Sequence, residues 1–201
     1  MRIRGVLFDF DDTLTMVGEL DYLKIREDIG CPREESILSF IERIENPQDR
    51  RIAHEILLNH ELSAAARARP ADGAESLVSW LEQAKIYRGI ITRNTRRAVD
   101  ISFQNFNSID SSNFNIILTR DDDMPVKPEP DGVLHVCETL GIQAVELLVV
   151  GDYIYDVEAG NAAGAVTVFL DSRPERTFDL PPSTYTIMNI SEIQGIIGNH
   201  I

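Results

Sequence analysis

Asp9, Asp11 and Asp12 crowd together in the stretch VLFDFDDTLT, which runs from Val6 to Thr15, and the apolar Val6, Leu7 and Phe8 lead straight into them. Carboxylates this close raise one another's pKa unless a cation compensates them. Oxygen donors alone favour a hard divalent ion, and Mg²⁺ takes few protein carboxylates and completes its shell with water or phosphate. The arrangement therefore suits attack on a phosphate. Asp9, once neutralised, would be the nucleophile. Asp11 would protonate the leaving oxygen and later take a proton from water.

Other residues of the right type follow later apolar runs. YRGIIT ends at Thr92 and continues into Arg93 and Asn94. NIILT leads into TRDDDMPVKPEPD, where prolines on either side hold the loop around Lys127. ELLVVG runs into GDYIYD, which supplies Asp152 and Asp156. Thr92 offers a hydrogen bond to a phosphoryl oxygen, and Lys127 offers a positive charge against both phosphate and acids. Arg93 and Asn94 adjoin Thr92 and are candidate substrate contacts. Asn94 also directly precedes TRRAV, which reads first as a helix-capping position. Thr13 belongs to the surroundings of the acids.

To bring these residues together, the chain must place several strand ends on one rim. Ile3 to Phe8 reads as a buried strand. ELDYLKIREDIG, EESILSFIERIE and PQDRRIAHEILLNHELSAAARA then show helical spacing, broken at Gly30, Pro32 and Pro47, and predict three short helices. RPADG, 69–73, reads as a turn and hinge. From there helices and strands alternate: AESLVSWLEQA, YRGIIT, TRRAVDISFQNF, NIILT, DGVLHVCETLG, ELLVVG, YDVEAGNAAG, AVTVFL, and after a Pro-rich tail a short strand and a last helix. Alternation of this kind predicts an α/β fold: a Rossmann-like parallel sheet with helices on both faces, and an all-helical insert after the first strand. The expected division is a core of residues 1–15 and 70–201 and an insert of residues 16–69. In such a sheet ligands bind at the carboxyl ends of the strands, where all the candidates fall.

Composition narrows the partners. The chain has 201 residues, 43% hydrophobic and 26% charged, enough apolar material for a core. A formal net charge of −14 repels nucleic acid and anionic membranes, so an anionic substrate needs local cations or a metal. Cys31 and Cys137 form no CxxC pair and are expected as reduced, packed thiols of a cytoplasmic protein. Only Val6–Phe8 is continuously apolar before Asp9, so neither a secretory leader nor a membrane span is expected. Oligomeric state is not written in the sequence.

DFDDTLT, IITRN, KPEPD and GDYIYD, in this order, resemble the motifs of the haloacid dehalogenase superfamily, and the helical insert resembles that family's C1 cap. TRNTRRAV, KPEPDGVL and VVGDYIYDVEAGNAAG are similar to phosphoglycolate phosphatase-like members. The resemblance implies a phosphatase of small phosphorylated metabolites that uses Mg²⁺ and an aspartyl-phosphate on Asp9, with Asp11 as acid/base. It implies metal contacts from the Asp9 carboxylate, the Asp11 main-chain carbonyl and the Asp152 carboxylate. Asp156 and Thr13 would support them from behind, and Thr92 and Lys127 would hold the phosphoryl group. By the family's strand order, the fourth strand would lie beside the first. Asp at position 11 favours phosphoester hydrolysis within the superfamily. Asp12 stands where many capped phosphatases have Gly, and the Asp-Ser step common in phosphoglycolate phosphatases is absent after Thr15. A phosphomutase of the β-phosphoglucomutase type and a low-activity phosphate-binding regulator are the alternatives.

Several other groups receive plainer readings. Asp121–Asp123 reads as a solvated loop. His54 and His60 are six apart, on different helix faces, and read as surface residues of the insert. His135 and Trp80 read as structural. Arg67 and Arg69 read as hinge charges that could instead reach a second anion, and Tyr22, Lys24 and Arg26 are candidate leaving-group contacts.

Overall fold

The computed structural model describes residues 2–172 and 182–199. Its centre is a six-stranded, wholly parallel sheet in the order β3-β2-β1-β4-β5-β6. The strands are β1 (Gly5–Phe8), β2 (Tyr87–Ile91), β3 (Ile116–Leu118), β4 (Leu147–Gly151), β5 (Val166–Leu170) and β6 (Tyr185–Ile187). The first strand is thus central. Leu7 pairs with Gly89 on one side and Val149 on the other, which puts the carboxyl ends of β2, β1 and β4 side by side.

Successive residues of a strand face opposite sides of the sheet. Val6, Phe8, Ile90, Leu148 and Val150 join one apolar cluster, and Leu7, Ile91, Leu147 and Val149 join the other. Helices α4 (Ala74–Gln83), α5 (Arg96–Phe103) and α8 (Ile193–Gly198) supply the first cluster. Helices α6 (Asp131–Leu140) and α7 (Ile154–Ala163) supply the second. Burial on both faces is why β1 and β4 read as unbroken apolar runs.

Between β1 and α4 stand α1 (Tyr22–Ile29), α2 (Ile37–Glu42) and α3 (Pro47–Ala65). Asp21 caps the first by accepting from the Lys24 amide, and Gly30, at φ 78°, closes it in a conformation that glycine adopts without strain. Ser36 and Asn46 cap the next two in the same way. The third helix is not short. Pro47 sits in its first turn, where a missing N–H does no harm, and no glycine or further proline interrupts the rest of the 19-residue helix. Leu20, Ile25, Ile41, Ala53, Leu57 and Ala64 form an apolar cluster belonging to the insert alone. The insert leaves and rejoins the core through two antiparallel segments: Met16 donates to the Arg69 carbonyl at 2.9 Å and Ala71 to the Leu14 carbonyl at 2.9 Å. Arg67 and Arg69 both pair with Glu19 across this joint, in keeping with hinge charges.

Candidate active site

The rim at the ends of β2, β1 and β4 collects the predicted residues. Lys127 lies at its centre and is 3% exposed. Its ammonium donates to Asp9 Oδ1 at 2.6 Å and to Asp156 Oδ1 at 2.5 Å. Burial works against the charged ammonium, but Asp156 and Asp9 outweigh it and hold the pKa up at about 12. Lys127 is therefore a fixed cation facing two acids.

Asp9, Asp152 and Asp156 each bring one carboxylate oxygen within 4.8 Å of the other two. Thr13 Oγ1 donates to Asp152 Oδ1 at 3.4 Å, which places the threonine behind the acid. Asp156 also accepts the Tyr153 amide at 3.1 Å, at the start of α7. Burial raises its pKa, against the opposing pull of Lys127. The sequence reading put Asp156 behind the metal ligands. In the structure one of its carboxylate oxygens lies within 4.8 Å of one from Asp9 and one from Asp152, while its Oδ1 is engaged by Lys127.

Gly151 makes this packing possible. A methyl group there would fall 2.1 Å from Asp156 Cγ. Gly151→Ala is expected to push Asp156 off Lys127 and to destabilise the fold by about 1–3 kcal/mol through overpacking. Thermal unfolding beside a steady-state assay checks both effects.

Asp11 is held differently. Asn94 Nδ2 donates to Asp11 Oδ2 at 3.0 Å and to Oδ1 at 3.3 Å. Desolvation, then the charge of Asp9, pushes the Asp11 pKa up to about 7, with the Asn94 hydrogen bond pulling the other way. A carboxyl titrating there can give and take a proton near neutrality. The capping expected of Asn94 falls to its neighbour, because Thr95 accepts from the Ala98 amide and begins α5. Asn94 is thereby left to face the acid. Its own amide donates to Thr92 Oγ1 at 3.0 Å, which occupies that oxygen as an acceptor and leaves the hydroxyl proton to be donated.

Asp12 adds its charge to this group but is also tied to the backbone. It accepts from the Gly18 amide at 2.8 Å and has φ 58°, a left-handed conformation that glycine or a short acid tolerates. That accounts for the exchange with Gly noted in the motif. Asp121 and Asp122 do more than meet solvent: the first accepts the Arg96 amide and the second the Thr119 amide and hydroxyl.

From the insert, Tyr22 is within electrostatic reach of the acids: desolvation of its phenol, followed by the charges of Asp11, Asp12, Asp152 and Asp9, pushes its pKa well above the ordinary tyrosine range, although 36% of the residue's surface stays exposed. Lys24 instead pairs with Glu27 and Asp28, and Arg26 is tied to the Pro32 and Glu35 carbonyls, so neither is brought to the site. His54 and His60 pair with Glu42 and Asp28 on the insert. His135 meets Thr139 on its own helix, and Trp80 packs against the core. Arg93, after the end of β2, places its guanidinium 4.7 Å above the ring of Tyr155, in the helix that follows β4. Its Nη2 donates to Ser36 Oγ at 2.6 Å, and its buried Nε has no partner among the described residues.

Sequence reasoning did not single out one pair near this rim. Glu61, 4% exposed on α3, is gripped by both guanidinium nitrogens of Arg120, with Nη2 to Oε2 at 2.7 Å. A lone acid in a helical pattern carries no signal of a partner 59 residues away.

Comparison with known proteins shows the family and the fold. The family model for haloacid dehalogenase-like hydrolases matches residues 6–170. A haloacid dehalogenase-like hydrolase domain-containing protein of Arabidopsis thaliana is 37% identical over 85% of this chain and 71% of its own length. N-acetylmuramic acid 6-phosphate phosphatase of Pseudomonas aeruginosa is 26% identical over 83% of this chain and 81% of its own. The crystal structure of the hydrolase YfnB of Bacillus subtilis bound to magnesium shares the fold, with a TM-score of 0.71 at 20% identity over 98% of this chain and 99% of that one.

Proposed function

Because the chain belongs to the haloacid dehalogenase-like hydrolase family and has phosphatase relatives, we propose that it is a Mg²⁺-dependent phosphatase of small phosphorylated metabolites, acting through an aspartyl-phosphate on Asp9. The observation that carries this reading is the buried Lys127 bridging Asp9 and Asp156, with Asp152 beside them. Three carboxylates and one ammonium leave a net negative, all-oxygen donor set, which fits a hard divalent cation. Asp9 and Asp152 would hold the ion, together with the Asp11 main-chain carbonyl that the resemblance implies. When bound, the ion supplies Lewis-acid stabilisation of the charge on the phosphoryl group.

The chain's own residues do the rest. The Asp9 carboxylate attacks phosphorus and displaces the alcohol. Asp11, protonated, gives its proton to the leaving oxygen, and as a carboxylate it then takes one from the water that hydrolyses the acyl phosphate. Asn94 keeps Asp11 in place for both transfers. Thr92 and Lys127 hold the phosphoryl oxygens, and Thr13 steadies Asp152. Residues 16–69 act as a cap that excludes bulk water from the reacting group. Tyr22 from the cap and Arg93 from the core face the leaving group, and the unpartnered Arg93 Nε supports an oxygen acceptor on the substrate. The described thiols Cys31 and Cys137 are free and buried, which is compatible with the reduced environment of the cytoplasm. Among the described residues no helix is long and apolar enough to cross a membrane.

The test is phosphate release from p-nitrophenyl phosphate and from a panel of sugar phosphates, nucleotides and phosphoglycolate, with N-acetylmuramic acid 6-phosphate included. Release of inorganic phosphate is expected, and excess EDTA should abolish it until Mg²⁺ is restored. Undiminished rates in EDTA would remove the metal from the mechanism. An isomeric sugar phosphate in place of inorganic phosphate would make the enzyme a mutase.

A further inference from the structure

We propose that Glu61 and Arg120 form a clasp between the helical insert and the core that positions Asp11 through Asn94. The proposal rests on the phosphatase reading for its consequence, and on geometry for its mechanism.

Glu61 belongs to α3 of the insert, and Arg120 to the loop after β3 of the core. Both carboxylate oxygens are engaged by the same guanidinium, the planar, two-point pairing that fixes orientation as well as distance. A buried carboxylate held by one cation leaves an uncompensated charge if the two part, so the insert is seated in one place. Arg120 then does two further things. Its Nη1 donates to the Arg93 carbonyl at 3.2 Å, and its amide donates to the Asn94 carbonyl at 3.1 Å. One residue thus carries two consecutive carbonyls of the loop that follows Thr92. Asn94 in turn holds Asp11. Two residues, Arg120 and Asn94, separate an acid of the insert from the acid/base.

The backbone around Arg120 is pinned from another side, since Asp122 accepts both the amide and the hydroxyl of Thr119. What Glu61 sets is the direction of the guanidinium, and with it the support of the Arg93 carbonyl. The insert touches the same loop a second time, where Ser36 accepts from Arg93. The loop therefore reads the position of the insert at two points and passes it to Asp11. Glu61 and Arg120 are positioning residues, as neither reaches the reacting atoms.

The experiment uses the full chain with Glu61→Gln, which keeps the shape and removes the charge. Per folded molecule, kcat on p-nitrophenyl phosphate should fall about tenfold to a hundredfold, as misplacement of a catalytic group does. KM should stay within about threefold, because ground-state binding is untouched. Amide hydrogen exchange at Asn94 and Arg120 should quicken. Adding Glu61→Gln to Asn94→Ala should cost no more than Asn94→Ala alone, since the two act in series. If Glu61→Gln does not fold, Arg120→Lys and the exchanged pair Glu61→Arg with Arg120→Glu replace it: the first should lose kcat and the second regain part of it. Unchanged kcat per folded molecule, or losses that multiply between Glu61 and Asn94, would overturn the clasp. A wild-type chain that releases no phosphate from any ester would instead overturn the phosphatase reading, and the exchange rates at Asn94 and Arg120 would then decide the clasp alone.

Discussion

Asp9→Asn should lower kcat on p-nitrophenyl phosphate by at least about ten-thousandfold, the scale on which an enzyme loses its nucleophile. The amide is nearly the same size, so the buried rim can keep its packing. It is a far weaker nucleophile, and it withdraws one of the two negative charges that Lys127 faces. The fold should survive because Asp156 still pairs with the ammonium, 2.5 Å away. Rapid quench with labelled substrate separates the cases: wild type should accumulate acid-stable label on the protein, and the variant none. A variant that hydrolyses the ester at the wild-type rate would remove Asp9 from the chemistry.

Lys127→Met acts on stability as well as rate. Methionine fills a similar volume without charge and leaves Asp9, Asp152 and Asp156 converging with no internal cation. Removing one partner of a buried ion pair costs about 3–5 kcal/mol. For a domain of this size that corresponds to a fall in Tm of about 10 °C. Mg²⁺ should offset more of the loss in the variant than in wild type, because ligand binding stabilises the folded state and the variant's acids lack their competing ammonium. Melting curves at zero and millimolar Mg²⁺ measure this directly. Equal shifts in the two proteins would mean that Lys127 and the metal do not share the acids.

Much of the scaffold was legible because both faces of the sheet are covered. Apolar runs such as LLVVG can be read as buried strands, and the parallel rule puts their carboxyl ends on one rim, while the place of the fourth strand beside the first is legible only through the family resemblance. Asp9, Thr92, Lys127 and Asp152 were visible for the same reason: each directly follows a strand or sits in a loop stiffened by proline. Pro47 is legible as the boundary between the second and third helices because in a first turn it marks a start; what the pattern understates is the length of α3, which runs on for 19 residues. The duties of Asn94 and Thr95 were indistinct, since either side chain can cap a helix and only the tertiary approach of Asp11 separates them. Glu61 and Arg120 were invisible, because charge pairing between distant elements leaves no periodicity. Of the three cap residues singled out, only Tyr22 reached the acids. Lys24 and Arg26 found neighbours within their own turn or loop first.

The helical insert keeps its apolar side chains in a cluster of its own, apart from the two that sandwich the sheet. On the proposed mechanism, the packing inside the substrate-facing insert is thereby largely separate from the packing under the catalytic rim. With Asp9 as the proposed nucleophile, residues around Ile25 and Leu57 can be repacked, and new alcohols tried, with that nucleophile unaltered. The toll on that freedom is paid at the polar seam, where the buried Glu61 pairs with Arg120 and a change in one leaves the other uncompensated.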